Sequence, residues 1–284
     1  MSLRVIEFVP PAVEAIAQHL GKFDAGALDL EIVRTRSSIE QHERMLSDDC
    51  DVALTAIDNL IKWNAQGADL RLFAQVERTT VLDLVAAADI ATVADLRGAT
   101  LAVDAVDSGF AIVLRKILAD HGVKAGEYEL LSAGGINERC EALVSGQATG
   151  GLLGPPWSTK AIESGLTRLT TVEEALPAFP GIVVAVRESR HAEIAKELEQ
   201  YIAGLDAAVR WVAGEERSAA IDVLEAAGFD PHGAAALLDV VPGDLEPSAE
   251  GLDLIYAMRR ELGMLPEGAH GPADLLPAAG EARR

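Results

Sequence analysis

The strongest constraint in this chain is a rhythm. Short apolar runs alternate with amphipathic stretches, in two successive series before residue 187. Leu3 to Val9 reads as a strand stopped by Pro10-Pro11. Proline suits a helix start, because its missing N–H would have no partner there. Ala12 to Phe23 then reads as a helix, with Val13, Ile16 and Leu20 on one face. Leu28–Arg34, Asp51–Thr55 and Leu70–Val76 read as further strands, with helices reaching Leu46 and Trp63 between them. The pattern restarts at Val81–Ala88, followed by a short helix at Thr92–Leu96. It continues as strand Thr100–Asp104, helix Gly109–His121, strand Tyr128–Ser132, helix Asn137–Val144 and strands Thr149–Leu153 and Gly181–Val186. Strands and helices in this order predict an α/β fold of mostly parallel sheets covered by helices. From about His191 onward only helices are read, with Ile194, Leu198, Tyr201, Leu205, Val209 and Val212 sharing a face.

The 284 residues suffice for two lobes, each with its own core. Asp and Glu number 45 against 24 Lys and Arg, a formal charge of −21. That balance argues against a nucleic-acid binder, which needs a cationic footprint to displace counterions, and against docking on anionic lipid. Residues 188–284 carry 19 acidic and 8 basic side chains, so more than half of the excess lies on the helical tail. The charge therefore describes a solvated surface rather than a binding cleft. Cys50 and Cys140 are too few for a disulfide framework or a four-cysteine zinc site. No stretch approaches the ~18 uncharged apolar residues of a membrane span. Met1 to Val9 shows none of the features of a secretory leader. The expected location is periplasmic or cell-surface if an export signal precedes this segment, and cytoplasmic if Met1 is the native start. The last ten or so residues, ending Glu281-Ala282-Arg283-Arg284, are expected to fray.

Catalytic signatures are missing. There is no Gly-x-Gly-x-x-Gly, no P-loop, no His-Glu-x-x-His and no Gly-x-Ser-x-Gly. His191-Ala192-Glu193 matches half of a zinc-deaminase signature without its Pro-Cys-x-x-Cys partner, and reads better as an acidic first helical turn. Cys140, between Arg139 and Glu141 in a helix, reads as a small core residue. No catalytic residue, metal ligand or cofactor is assigned.

Residues 89–157 are the most specific segment. Thr92-Val93-Ala94-Asp95-Leu96-Arg97-Gly98-Ala99-Thr100-Leu101-Ala102-Val103 is followed by the turn Asp107-Ser108-Gly109 and a helix ending at Leu118 to Val123. Ala142-Leu143-Val144-Ser145-Gly146-Gln147-Ala148-Thr149-Gly150 comes next. This order resembles the second lobe of type II periplasmic solute-binding proteins, in the family that binds aliphatic sulfonates, nitrate, taurine and thiamine precursors. Asp51-Val52-Ala53 and the tail Glu250 to Glu267 extend the resemblance over most of the chain. One departure is Thr149, where the family usually has Asp. The resemblance implies two lobes joined by two crossing strands, near Val76–Ala88 and Gly181–Val186. Residues 1–82 with 188–284 would form the first lobe and residues 83–187 the second.

In such sheets ligands bind outside the carboxyl ends of the strands, where helix N-termini present unpaired N–H groups. Two lobes facing each other make a cleft that closes on its ligand. The loops expected to line it hold Pro10, Arg36, Ser37, Ser38, Thr55, Ala56 and Asn59 from the first lobe. From the second come Asp107, Ser108, Gly109, Gly134, Gly135, Asn137, Pro156 and Trp157. Ser37-Ser38 and Asp107-Ser108 are equally readable as helix caps, and one residue can do both. Gly134-Gly135 reads as a turn or as a place where backbone N–H groups approach an anion. Trp157 is the favoured cleft wall, being a large aromatic in a chain with 4% aromatics. Arg36, the one base in these loops, would pair a carboxylate or sulfonate or face solvent.

The function expected is a monomeric, non-enzymatic solute-binding protein. It would deliver a small organic anion or heterocycle to the permease of an ABC importer. The alternatives are an enzyme on the same fold, similar to thiamine-pyrimidine synthases, and a cytoplasmic ligand sensor. The first would need a cysteine cluster and a reactive lysine, for which only Lys160 stands nearby.

Overall fold

β1 (Ser2–Glu7) places Leu3 and Val5 in one hydrophobic cluster and Ile6 in another, so both faces of its sheet must be covered. A computed structural model gives the architecture, and it describes residues 2–8, 10–24 and 28–277. After β1 come α1 (Ala12–His19), β2 (Asp29–Arg34), α2 (Ser38–Leu46), β3 (Val52–Ala56), α3 (Ile57–Ala65) and β4 (Leu70–Gln75). The second series is β5 (Asp83–Ala86), β6 (Thr100–Val103), α4 (Gly109–Asp120), β7 (Glu129–Ser132), α5 (Ile136–Val144), β8 (Gly150–Leu153), α6 (Trp157–Glu163), β9 (Thr167–Thr171) and α7 (Val172–Ala175). β10 (Ile182–Arg187) leads into α8 (Glu188–Gly214), α9 (Arg217–Ala226), α10 (Pro231–Asp239) and α11 (Ala249–Glu261).

The strands form two five-stranded sheets of the same design, ordered β2-β1-β3-β10-β4 and β7-β6-β8-β5-β9. β1 runs parallel to β2 and β3, and β6 runs parallel to β7 and β8. The exception in each sheet is the strand delivered from the other: β10 is antiparallel to β3 and β4, and β5 to β8 and β9. This is the two-lobe fold of periplasmic binding proteins. One apolar cluster runs through both lobes, joining Leu60 and Ile61 of α3 to Leu114 and Ile117 of α4 and to Leu252 and Ile255 of α11. The other packs α1 and α8 on the first sheet through Ile16, Leu198 and Leu205.

Several elements differ from expectation. β9 was unforeseen because Thr-Arg-Leu-Thr-Thr has no apolar run; it lies at the sheet edge, where β-branched threonines suffice. α6 and α7 were unforeseen because both are short and follow prolines or threonines that read as turns. α1 ends at His19, and residues 20–23 form a turn rather than helix. β1 ends at Glu7; Val9, and residues 278–284 of the tail expected to fray, lie outside the described residues.

The chain passes between the sheets through residues 76–82 and 172–181. These segments are bonded to each other: Val76 N donates to Ile182 O at 2.9 Å and Gly181 N to Glu77 O at 3.2 Å. A Cβ at Gly181 would stand 2.4 Å from both Glu77 Cβ and Thr79 O, so the approach requires glycine. Glu77 is buried there, and its Oε2 accepts one bond, from Ile182 N at 3.3 Å. Burial pushes this carboxyl up to about 7, opposed only by that bond. A buried acid pair, Glu7 and Glu14, lies at α1 near Arg34, and burial raises both carboxyls.

The sign of the Glu77 effect follows from linkage. Between the ordinary carboxyl range and about 7 the native state holds a proton that the unfolded chain has released, so stability falls as pH rises through that window. Replacing Glu77 by glutamine is expected to remove about 2 kcal/mol of the loss between pH 5 and pH 8. Urea unfolding across that range checks this, and an unchanged pH profile would refute it.

Candidate functional site

The parallel strands of both sheets end where helices begin, and these ends face one another across a seam. Locally the sequence fixes the helix starts. Ser37 caps α2, accepting from Ile39 N at 3.2 Å and Glu40 N at 3.4 Å. Ser108 caps α4, accepting from Ala111 N at 3.2 Å. α3 follows β3 without a linker, and neither it nor α5 has a side-chain cap.

Four polar contacts bridge the seam. Ser38 Oγ donates to Asp104 Oδ2 at 3.0 Å, while Ser108 Oγ donates to Asp104 Oδ1 at 2.5 Å. Gly109 N donates to Asn59 Oδ1 at 3.0 Å, and Asn59 is oriented by donating its Nδ2 to Thr55 Oγ1, also at 3.0 Å. Lys62 Nζ lies 2.7 Å from Asp107, and Arg36 Nη1 lies 3.3 Å from Glu138. A Cβ at Gly109 would stand 3.2 Å from the Cβ atoms of Ala56 and Asp58, so this glycine lets α4 abut α3. One at Gly135 would stand 3.4 Å from Arg36 Cβ.

Of the residues singled out from sequence, the structure thus brings Arg36, Ser38, Thr55, Ala56, Asn59, Asp107, Ser108, Gly109 and Gly135 together. The side chain of Ser37 is spent on its cap. Gly134 forms the turn before α5, and Asn137 lies in its first turn. Pro10, Pro156 and Trp157 are half-buried and take no part in the bridging hydrogen bonds and ion pairs described. Trp157 packs against the cluster of Cys140, Leu153 and Ala161 in its own lobe, with Lys160 Nζ 4.1 Å above its ring.

Sequence reasoning missed Asp104, Lys62, Glu138 and Arg139. Asp104 stood at the very end of an expected strand, and Lys62 and Arg139 lie inside helices rather than loops, so a search confined to loops passed them over. Arg139 is buried, donating Nη1 to Leu152 O at 2.7 Å and Nε to Gly135 O at 3.4 Å. With Asp104, Phe110 and Leu152 it lines one recess in the second lobe. Burial lowers the guanidinium's pKa, and the charges of Asp104 and Glu138 oppose that. Cys140 is buried as well, and burial raises its thiol. His191 sits in the first turn of α8, its ring 4.7 Å from that of Phe73. Among the described residues no group of three or more His, Cys, Asp or Glu is placed to hold a metal ion, and no helix is long and apolar enough to cross a membrane.

Behind the seam, α11 holds the start of α3. Arg259 Nε and Nη2 each lie 2.6 Å from a carboxylate oxygen of Asp58, and both side chains are buried. Cutting a buried pair leaves one charge uncompensated, so Arg259→Ala is expected to cost about 3–5 kcal/mol in denaturant unfolding. The double variant Asp58→Asn, Arg259→Met should lose less than this single one. A single variant as stable as the parent would show that the pair does not anchor α3.

The family described as NMT1/THI5 like matches residues 12–217. No curated protein sequence matches the chain. Among solved structures, the ligand-binding component of an ABC-type import system from Staphylococcus aureus, with zinc bound, is similar with a TM-score of 0.81 and 13% identity, covering 98% of this chain and 97% of that one. The alkanesulfonate-binding protein SsuA from Xanthomonas axonopodis pv. citri, bound to MOPS, is similar with a TM-score of 0.80 and 18% identity, covering 96% and 97%. The periplasmic nitrate-binding protein NrtA from Synechocystis PCC 6803 is similar with a TM-score of 0.73 and 14% identity, covering 96% and 84%.

Proposed function

The chain belongs to the NMT1/THI5-like family, and on that premise we propose that it is a non-catalytic solute-binding protein serving an ABC-type importer. Its two lobes, residues 1–82 with 188–284 and residues 83–187, close on a small organic anion or heterocycle and release it to the permease. The protein works as a monomer at the cell surface or in the periplasm. The observation that carries this reading is the set of bridging contacts made by Ser38, Asn59, Lys62 and Arg36 with the facing lobe. Polar side chains from two lobes meet at the carboxyl ends of parallel strands, where ligands of α/β sheets bind. The two bonded crossing segments supply a hinge about which the seam opens. Sulfonates, nitrate, carboxylates and thiamine precursors are the ligand classes to consider, since the similar proteins include binders of alkanesulfonate and nitrate. Support for the absence of catalysis comes from the buried Cys140, which is not an activated nucleophile.

A thermal-shift screen of those classes, with small-angle scattering of any hit, tests the reading. At least one compound should raise the melting temperature and compact the protein, and Asn59→Ala should weaken its binding about tenfold, the worth of one good hydrogen bond. Turnover of the hit, or binding indifferent to Asn59→Ala and Ser108→Ala alike, would sink it.

A further inference from the structure

The first lobe buries two acids that take no part in the seam. Glu7 ends β1 and Glu14 lies in the first turn of α1, and neither is exposed to solvent. Parallel pairing sets Glu7 beside Arg34 of β2 and Leu54 of β3. Alternation along β1 puts Glu7 on the same face as Leu3 and Val5, in the layer between the sheet and helices α1 and α8. There the two carboxyl groups lie within hydrogen-bonding reach of each other.

Donors around the pair are few. Arg34 Nη1 lies 2.8 Å from Glu7 Oε1, but the Arg34 side chain is 51% exposed. Gln18 Nε2 donates to Glu14 Oε1 at 2.9 Å. Glu7 Oε2 and Glu14 Oε2 find no donor among the described residues. From α8 comes Tyr201, whose hydroxyl is buried and likewise without a partner there. Burial, with the charges of Glu14 and Glu7, raises the Tyr201 phenol, so it stays neutral. Helices α9 and α10 also pack on α1; they bring apolar groups such as Ala220, Leu224 and Ala234, and no charge of theirs acts on either acid.

If both glutamates were ionised, two buried negative charges would face one half-solvated cation, with acceptor set against acceptor. Desolvation and like-charge repulsion both oppose that state. One proton relieves both: it cancels the excess charge and supplies the donor missing between the carboxyls. Burial pushes both carboxyls up, the direction this requires, while Arg34 opposes it.

We propose that Glu7 and Glu14 share a single proton, a buried acid–carboxylate bond that joins β1 to α1 and ties the stability of the first lobe to pH. The folded chain keeps this proton above the ordinary carboxyl range, where the unfolded chain has released it. Its contribution is therefore fullest in acid and falls as pH rises, until the native pair lets the proton go. This inference does not rest on the solute-binding reading.

The test is urea unfolding of the whole chain between pH 6 and pH 8, for the parent, Glu7→Gln, Glu14→Gln and the double variant. Other groups, Glu77 among them, are common to all four, so the comparison reads the pair. One shared proton makes the parent's unfolding constant rise about tenfold more per pH unit than that of each variant. Because the proton belongs to both carboxyls, either single glutamine should remove this extra slope, and the double variant should remove no more. A Glu14→Gln variant that keeps the parent's slope would show that Glu7 holds a proton alone, and would overturn the sharing. Four equal slopes would overturn the site altogether. Infrared spectra of the parent at pH 8 give a reading that needs no variant to fold: the C=O stretch of an un-ionised carboxyl should be present, and its absence would refute the proposal.

Discussion

The exchange of one strand between the sheets is the constraint on which the rest depends. β10 is wedged between β3 and β4, and β5 between β8 and β9, so each sheet is completed only by chain that has come from the other. The two crossing segments must then pass side by side, and they do so at the contact of Gly181 with Glu77 and Thr79. Both passages therefore lie at one place, and the proposed binding function puts its hinge there.

The energetics divide along the same line. Asp58 and Arg259 are buried and aligned in two short bonds, a pair that is expensive to break and fixes α3 as part of the scaffold. The contacts across the seam are of another kind. Arg36 is 77% exposed in its side chain and pairs with Glu138, and such surface pairs are worth about 0–1 kcal/mol. Lys62 and Asp107 are likewise partly open to solvent. These two ion pairs are weak and partly solvated, whereas Leu60 and Ile61 of α3 and Leu114 and Ile117 of α4 share one buried apolar cluster, and the Gly109–Asn59 bond beside them is buried.

Much of the architecture was legible in the chain. Parallel strands buried on both faces read as apolar runs, as in Val-Ala-Leu-Thr-Ala of β3, and the helices between them carry the helical period. The caps at Ser37 and Ser108 were legible too, since serine before a helix has a local reason to be there. β9 was not, because an edge strand of threonines needs little hydrophobic surface and so leaves little pattern. Trp157 stood out by its size; its half-buried ring packs against Cys140, Leu153 and Ala161 of its own lobe.

By itself the sequence determined the α/β class and the series of strands and helices, because these follow from periodicity and caps read over a few neighbouring residues; the arrangement in two lobes was implied by the family resemblance. Only the tertiary structure decided which charges face one another. Asp104 and Ser38 are 66 residues apart, and Arg259 and Asp58 are 201 apart. Nothing local distinguishes these side chains from the other charged groups of an acidic chain. Their partners are set by how two sheets that exchange strands are folded against each other, and burial then decides which of the pairs carry weight.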